Sequence, residues 1–181
     1  MTQALVLVDI QNDYFPGGAM ELHGMEAAAA HAAAVLEHFR ERGWAVFHIQ
    51  HVSTRPGATF FLPDTTGVEH HASVAPRAGE AVVRKHFPNA FRGSTLLEGL
   101  KAAGTEQLVI AGAMSHMCID ATTRAAFDLG YGCTVVADGC ATRDLAFNGE
   151  TVTAASVHAA FMAALASPYA RVVTADVAVR D

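Results

Sequence analysis

The sequence predicts an α/β fold: a single-domain, three-layer αβα sandwich with a mostly parallel sheet of about six strands, spanning residues 1–181. Three observations lead there. Short apolar runs alternate with helical stretches along the whole chain, which implies right-handed βαβ crossovers and a parallel sheet covered on both faces. With 181 residues, 51% of them hydrophobic, the chain is long enough to bury one substantial core. No repeat, linker or shift of composition marks a second domain.

The elements follow in order. Residues 4–10 (ALVLVDI) form an apolar run reaching Asp9, as suits a strand buried on both faces. Residues 25–42 are alanine-rich, with Val35, Leu36 and Phe39 at helical spacing and Gly43 to close the helix. WAVFHIQHV is the second strand. Residues 53–79, with their prolines, glycines and Phe60–Phe61 pair, are too irregular for a regular element, and so long a loop in a compact domain is usually functional. AVVRK (residues 81–85) reads as the third strand, and Ser94 as the N-cap of a helix that stops at Gly104. QLVIAG is the fourth strand, residues 115–130 the next helix, CTVVAD the fifth strand, residues 151–165 a further helix, and ARVVTADV the last strand.

Composition narrows the function classes. A net charge of −6 opposes nucleic acid or an anionic membrane as partner, since both reward basic patches. No run nears the ~20 apolar residues of a membrane span, and MTQALVLVDIQND has no basic region before its apolar stretch. Cys118, Cys133 and Cys140 are too few and too odd in number for a disulfide framework, so a cytoplasmic location is expected. Neither GxGxxG nor GxxxxGK[ST] occurs, which removes the nucleotide-binding loops.

In open parallel sheets the site lies beyond the carboxyl ends of the strands. That rule selects Asp9 after strand one, Lys85 at the end of strand three, and Cys118 just after strand four. A thiol becomes a useful nucleophile once its proton is removed. With Ser115 as N-cap, Cys118 takes the third helical position, where unpaired N–H groups and the helix dipole favour a thiolate. Lys85 adds a positive charge, Asp9 can accept the proton and return it to a leaving group, and the helix start offers N–H groups, including that of Cys118, to an oxyanion.

The blocks LVLVDIQNDYFPGGAM, VVRKHFPNAFRGSTL, LVIAGAMSHMCIDATTRAAFDLGY and VVADGCAT resemble the isochorismatase-like cysteine hydrolases, which include nicotinamidases, N-carbamoylsarcosine amidohydrolases and ureidoacrylate amidohydrolases. The resemblance covers nearly the whole chain. It implies a catalytic triad of Asp9, Lys85 and Cys118, an oxyanion hole at Met114 and Cys118, a cis peptide between Ala113 and Met114, a small-molecule substrate, no organic cofactor, and a homo-oligomer. Nicotinamidases hold a metal through an Asp-x-His pair after the second strand; HIQHVSTRPGATFF has none, and His48 and His51, three apart on a strand, point to opposite faces. No metal is therefore expected at His48, His51, His70 or His71.

Of the loop aromatics Phe15, Phe60, Phe61, Phe87 and Phe91, Phe15 and Phe60 are candidates to line the substrate pocket, with Gln11 and His116 as its polar members. Cys133 and Cys140 read as structural. The expected reaction is hydrolysis of a C–N bond in a small amide or carbamoyl compound through a cysteine thioester. Two alternatives remain: a vinyl-ether hydrolase of the isochorismate type, which needs no nucleophilic sulfur, and a non-catalytic binding module that keeps the fold.

Overall fold

In the computed structural model, which describes residues 2–180, six parallel strands lie in the order β3-β2-β1-β4-β5-β8. They are β1 (Gln3–Val8), β2 (Ala45–His51), β3 (Ala81–Lys85), β4 (Gln107–Ala113), β5 (Gly132–Ala141) and β8 (Arg171–Val173). Helices α1 (Met25–Glu41) and α5 (Ala175–Ala178) cover one face; α2 (Leu96–Ala102), α3 (Asp120–Asp128) and α4 (Ala154–Leu165) cover the other. β6 (Leu145–Phe147) and β7 (Glu150–Val152) form a separate antiparallel hairpin.

The two cores follow from strand alternation. In β1, Leu5 and Leu7 face α1, whereas Ala4, Val6 and Val8 face the layer of α2, α3 and α4. A strand buried on both faces has no reason for polar residues, which is why β1 reads as an unbroken apolar run. In α1, Ala28, Ala29, Ala32, Val35, Leu36 and Phe39 are buried on one stripe.

The order reverses direction between β1 and β4, one strand running on to each side, and that point is where α/β sheets open a crevice. Gly112 lies there. Its φ is +129°, and a Cβ built on it would stand 2.0 Å from the carbonyl oxygen of Val8 on the neighbouring strand. The β4–β5 register also shifts between Ile110 and Gly112. Only glycine permits this contact.

Several boundaries differ from the sequence reading. The last strand is short, because the chain turns at Thr174 and residues 175–178 form α5, with the N–H of Ala175 donating to Asp138. Residues 151–152 belong to the hairpin, and the helix begins at Ala154, capped by the Thr153 hydroxyl, which accepts from the N–H of Ser156. β5 runs on to Ala141. The second helix starts at Leu96, whose N–H the Ser94 hydroxyl accepts at 3.2 Å from one position further back than a standard cap.

Gly112→Ala places a methyl group inside the van der Waals contact of two central strands. We expect a loss of about 3 kcal/mol or more, roughly 10 °C in Tm, read by thermal unfolding; a Tm within about 2 °C of wild type would contradict the close-approach argument.

Candidate active site

The sheet order delivers the site. Strand ends β3, β2 and β1 stand side by side, so Lys85, His51 and Asp9 converge at one edge. Lys85 pairs in register with His51, and its side chain shares a face with that of Val83. Asp9 leaves β1 with φ at +54°, which ends the strand's alternation, and its N–H still donates to the carbonyl of Ile49 at 3.1 Å. The fourth group follows β4. The peptide bond between Ala113 and Met114 is cis, and Ser115–Ile119 form a π-helical turn that leads into α3. The carbonyl of Met114 accepts from the N–H groups of Met117 and Ile119, at 3.0 and 3.2 Å. π turns are rare and concentrate at functional sites.

Met114, not Ser115, therefore holds the cap position, and Cys118 is the fourth residue of the turn. Ser115 is buried, and its hydroxyl meets the carbonyl of Ala141 and Nδ1 of His158.

These elements surround one ammonium group. Lys85 Nζ lies 2.7 Å from Asp9 Oδ2, 2.9 Å from His51 Nδ1 and 3.2 Å from Cys118 Sγ. Lys85 and Asp9 are both fully buried. An ammonium has three N–H donors and no acceptor, so three acceptors are what a dry lysine requires. Asp9 Oδ1 has no hydrogen-bond partner among the described residues.

The charges do not leave a standing thiolate. Burial pushes the Cys118 thiol up and the Asp9 charge adds to that, while Lys85 only partly offsets them; the net direction is strongly upward. Sequence reasoning counted the helix start and Lys85 in favour of the thiolate and omitted the opposing carboxylate at its side. Burial pulls Lys85 down, but Asp9 and Cys118 outweigh it and hold the ammonium above its ordinary range. Burial, with Lys85 adding to it, lowers His51 to about 4. The resting site is a neutral thiol beside an ion pair and a neutral imidazole.

Cys118 opens into a cavity of about 280 Å³ walled by Tyr14, Phe60, Phe87, Met114 and Met117, with His51, Ser53, Arg55 and His86 as polar members. Phe60 lies where the sequence placed it. Phe15, Gln11 and His116 do not line this cavity. Phe15 is buried and stacks on the His71 ring at 3.6 Å between centroids. The Gln11 amide donates to the carbonyls of His51 and Val68, at 2.9 and 2.8 Å, and accepts from the N–H of His51 at 2.7 Å, so it fixes the backbone that carries His51. His116 Nδ1 meets the Thr142 hydroxyl at 2.6 Å. Tyr14 and His51 were missed; the end of strand two was the signal for His51, since the rule that selected Asp9 and Lys85 applies to it equally.

The long segment 53–79 is pinned rather than free. Asp13 accepts from the N–H of Phe61 at 2.6 Å, holding that residue at a φ of +54° that a bulky side chain rarely adopts, and Phe61 packs fully buried while its neighbour Phe60 faces the cavity. Asn12 binds the carbonyl of Thr66, and His71 N–H that of Ile10.

Asp9, His51 and Cys118 offer ligand atoms within 4.8 Å of one another, the chemistry of a soft cation site. They do not fit a metal ion here, because all three already face the Lys85 ammonium, whose charge a second cation would oppose. His48 faces away from them with Nε2 on Glu80 at 2.9 Å, near the His70 ring.

A buried carboxylate, ammonium and thiol at a strand-end crevice agree with what comparison of the whole chain finds. Residues 3–177 match the Isochorismatase domain. The chain belongs to the isochorismatase family. YddQ, an uncharacterized isochorismatase family protein of Bacillus subtilis (strain 168), is 51% identical over 176 residues, covering 97% of this chain and 98% of that one. A crystal structure from Oleispira antarctica ascribed to the isochorismatase hydrolases superposes with a TM-score of 0.96 at 53% identity, over 99% of this chain and 97% of that one. Ureidoacrylate amidohydrolase RutB of Variovorax paradoxus (strain S110) is 29% identical over 188 residues, 86% of this chain and 73% of that enzyme. Isochorismatase-family membership makes hydrolysis the class of chemistry to be derived from this site.

Two predictions follow from its electrostatics. Asp9→Asn removes the charge that opposes the thiolate while Lys85 stays, so the midpoint of the pH–rate profile for iodoacetamide alkylation of Cys118 should move down. Peptide mapping by mass spectrometry measures it, and an unchanged or raised midpoint would show that Asp9 is not setting the thiol. Separately, His51 and His70 are both lowered from 6.5 to about 4, by burial first, then by Lys85 for His51 and by His48 for His70. Between those values the unfolded chain binds protons that the folded chain refuses, so stability falls as pH drops from 6.5 to 4. Denaturant titrations should show at least about two protons taken up on unfolding near pH 5; a flat stability profile through that range would refute the buried neutral imidazoles.

Proposed function

We propose that this chain is a cysteine amidohydrolase, cleaving a C–N bond of a small amide or carbamoyl compound. The observation that carries the reading is the fully buried Asp9–Lys85 pair set beside a protonated thiol that alone of the three cysteines opens into the apolar cavity.

The substrate carbonyl carbon meets Sγ. As sulfur attacks, its proton passes to the Asp9 carboxylate, so the thiolate exists only along the reaction path. A thiolate made in advance would be buried against the Asp9 charge, which Lys85 only partly offsets. The developing oxyanion takes the backbone N–H groups of Met114 and Cys118. Asp9 then delivers the proton to the departing nitrogen, the C–N bond breaks, and an amine or ammonia leaves a thioester. Water attacks that thioester with Asp9 as base, which releases the acid and returns the proton to sulfur. Lys85 orients Asp9 throughout and faces the negative charge on sulfur once its proton has passed to Asp9. No organic cofactor enters. The relationship to an amidohydrolase supports a C–N bond as the target. The three free cysteines support a cytoplasmic location, and among the described residues no helix is long and apolar enough to cross a membrane. A small molecule, rather than nucleic acid or a membrane surface, is the partner, and we expect a homo-oligomer.

An ammonia-release screen over amides, ureido acids and carbamoyl compounds should find turnover in the wild type. Cys118→Ala should lower kcat by about 10⁴-fold or more while the fold persists, and Asp9→Asn should cost roughly 10²–10⁴-fold, the range of a lost acid–base group. Because Asp9→Asn is also expected to keep an alkylatable thiol, it separates proton delivery from nucleophilicity. Full turnover by Cys118→Ala would sink the thioester mechanism.

A further inference from the structure

His51 has no role in the proton traffic above, yet it touches both the ammonium and the cavity. Its protonation pattern is fixed by its partner. Lys85 carries donors only, so Nδ1 of His51, 2.9 Å from Nζ, must accept. A neutral imidazole that accepts at Nδ1 carries its proton on Nε2. Nε2 has no partner among the described residues and is not sealed from the cavity, unlike the buried unpartnered nitrogens of His48 and His70. The ring cannot turn to hide it without breaking the bond to Lys85, and Gln11 holds the His51 backbone from both its N–H and its carbonyl.

We propose that His51 is a substrate-contacting donor: Lys85 locks it as the Nε2–H tautomer, and that N–H selects amides bearing a second acceptor oxygen close to the scissile carbonyl. The inference rests on the amidohydrolase reading and deepens it. An imidazole nitrogen lies within 4.8 Å of Sγ. Attack brings the carbonyl carbon to about 3–3.5 Å from sulfur, so an oxygen one or two carbons beyond it falls in reach of the far side of the ring. Beside the apolar walls of Phe60 and Met114 the cavity carries other polar groups, the Tyr14 and Ser53 hydroxyls, Arg55 and His86, but His51 is the one that also touches the Lys85 ammonium beside Cys118, and Asp9, the carboxylate at the site, repels acceptors. A plain alkyl amide would offer that N–H no acceptor; a 2-oxo, 3-oxo, ureido or similar amide would satisfy it.

The tautomer is tested first, on the intact wild-type protein. Long-range ¹⁵N–¹H correlation spectra at pH 7 should show His51 with Nε2 protonated and Nδ1 bare; an Nδ1–H form or an imidazolium would overturn the proposal without touching the amidohydrolase reading. Kinetics then test the contact with butanamide, 2-oxobutanamide and 3-oxobutanamide. His51→Gln keeps an acceptor for Lys85 and a donor for substrate, whereas His51→Met keeps only a weak acceptor; thermal unfolding checks that both fold, and should His51→Met not fold, the spectra and His51→Gln still decide. We expect His51→Met to lose about tenfold in kcat/KM on the oxo amides relative to its loss on butanamide, and His51→Gln to retain the oxo preference of the wild type. An equal loss on all three substrates in both variants, or an oxo preference absent from wild type, would make His51 a support for Lys85 only. No ammonia from any amide with wild-type protein would instead remove the amidohydrolase reading, and the substrate claim with it, while the spectra still report the tautomer.

Discussion

An ammonium ion with no water around it is the constraint on which this site depends. Lys85 has no exposed surface, so each of its N–H groups must find an acceptor from protein. It finds three, contributed by β1, β2 and the turn after β4. Losing one leaves a charge buried and short of a partner, which typically costs about 3–5 kcal/mol when a buried pair is broken. The requirement ties four chain segments to one point and makes Lys85 a structural group in its own right. It also explains how residues that would suit a cation are served without one: the charge is supplied from within the chain.

The same cluster decides where the reactive proton rests. Burial is the main reason that the thiol stays neutral, and the Asp9 carboxylate adds to it. Lys85 favours a thiolate, but it offsets those two only in part. Moving the proton to Asp9 changes the balance at once, since sulfur then faces the ammonium without the opposing charge. In the proposed mechanism reactivity therefore lies in the coupling of the two groups rather than in either one.

Sequence reasoning read the scaffold well where burial writes a simple pattern. After their first residues, Gln3 and Gln107, β1 and β4 have no polar side chain because both faces are covered, and α1 shows its stripe because only one is. Asp9, Lys85 and Cys118 were legible because strand ends in such sheets must meet. The hairpin at residues 145–152 was not legible, having only half-exposed and exposed positions and so no burial pattern to read. The last strand was overextended because α5 has only four residues, of which Ala175 and Ala178 are buried, and VVTADV carries no breaker before it. Gln11, Phe15 and His116 were misread for a common reason. Each is a polar or aromatic residue near the site whose side chain is spent on backbone, ring or hydroxyl partners that only tertiary structure brings near. His51 was set aside because it was weighed as a metal ligand and not as the end of a strand.

Chemistry and selectivity are coupled through one short stretch. Asp9 pairs with the buried Lys85 ammonium; Gln11, Asn12 and Asp13 bind the segment that shapes the cavity; Tyr14 forms its wall. The five contacts lie within six consecutive residues, leaving β1 through a left-handed position at Asp9. Gly67 shows how closely the two parts fit, since a Cβ there would fall 2.2 Å from the Asp13 carboxylate. A shift in the 53–79 segment would therefore pull on the turn that aims Asp9, and a change at Asp9 would loosen the cavity wall. In a family where related chains serve different substrates, such coupling means that a new cavity cannot be made by altering the long segment alone. The anchors at Gln11, Asn12 and Asp13 must hold whatever replaces it, or the Asp9 carboxylate loses its place beside Lys85 and Cys118.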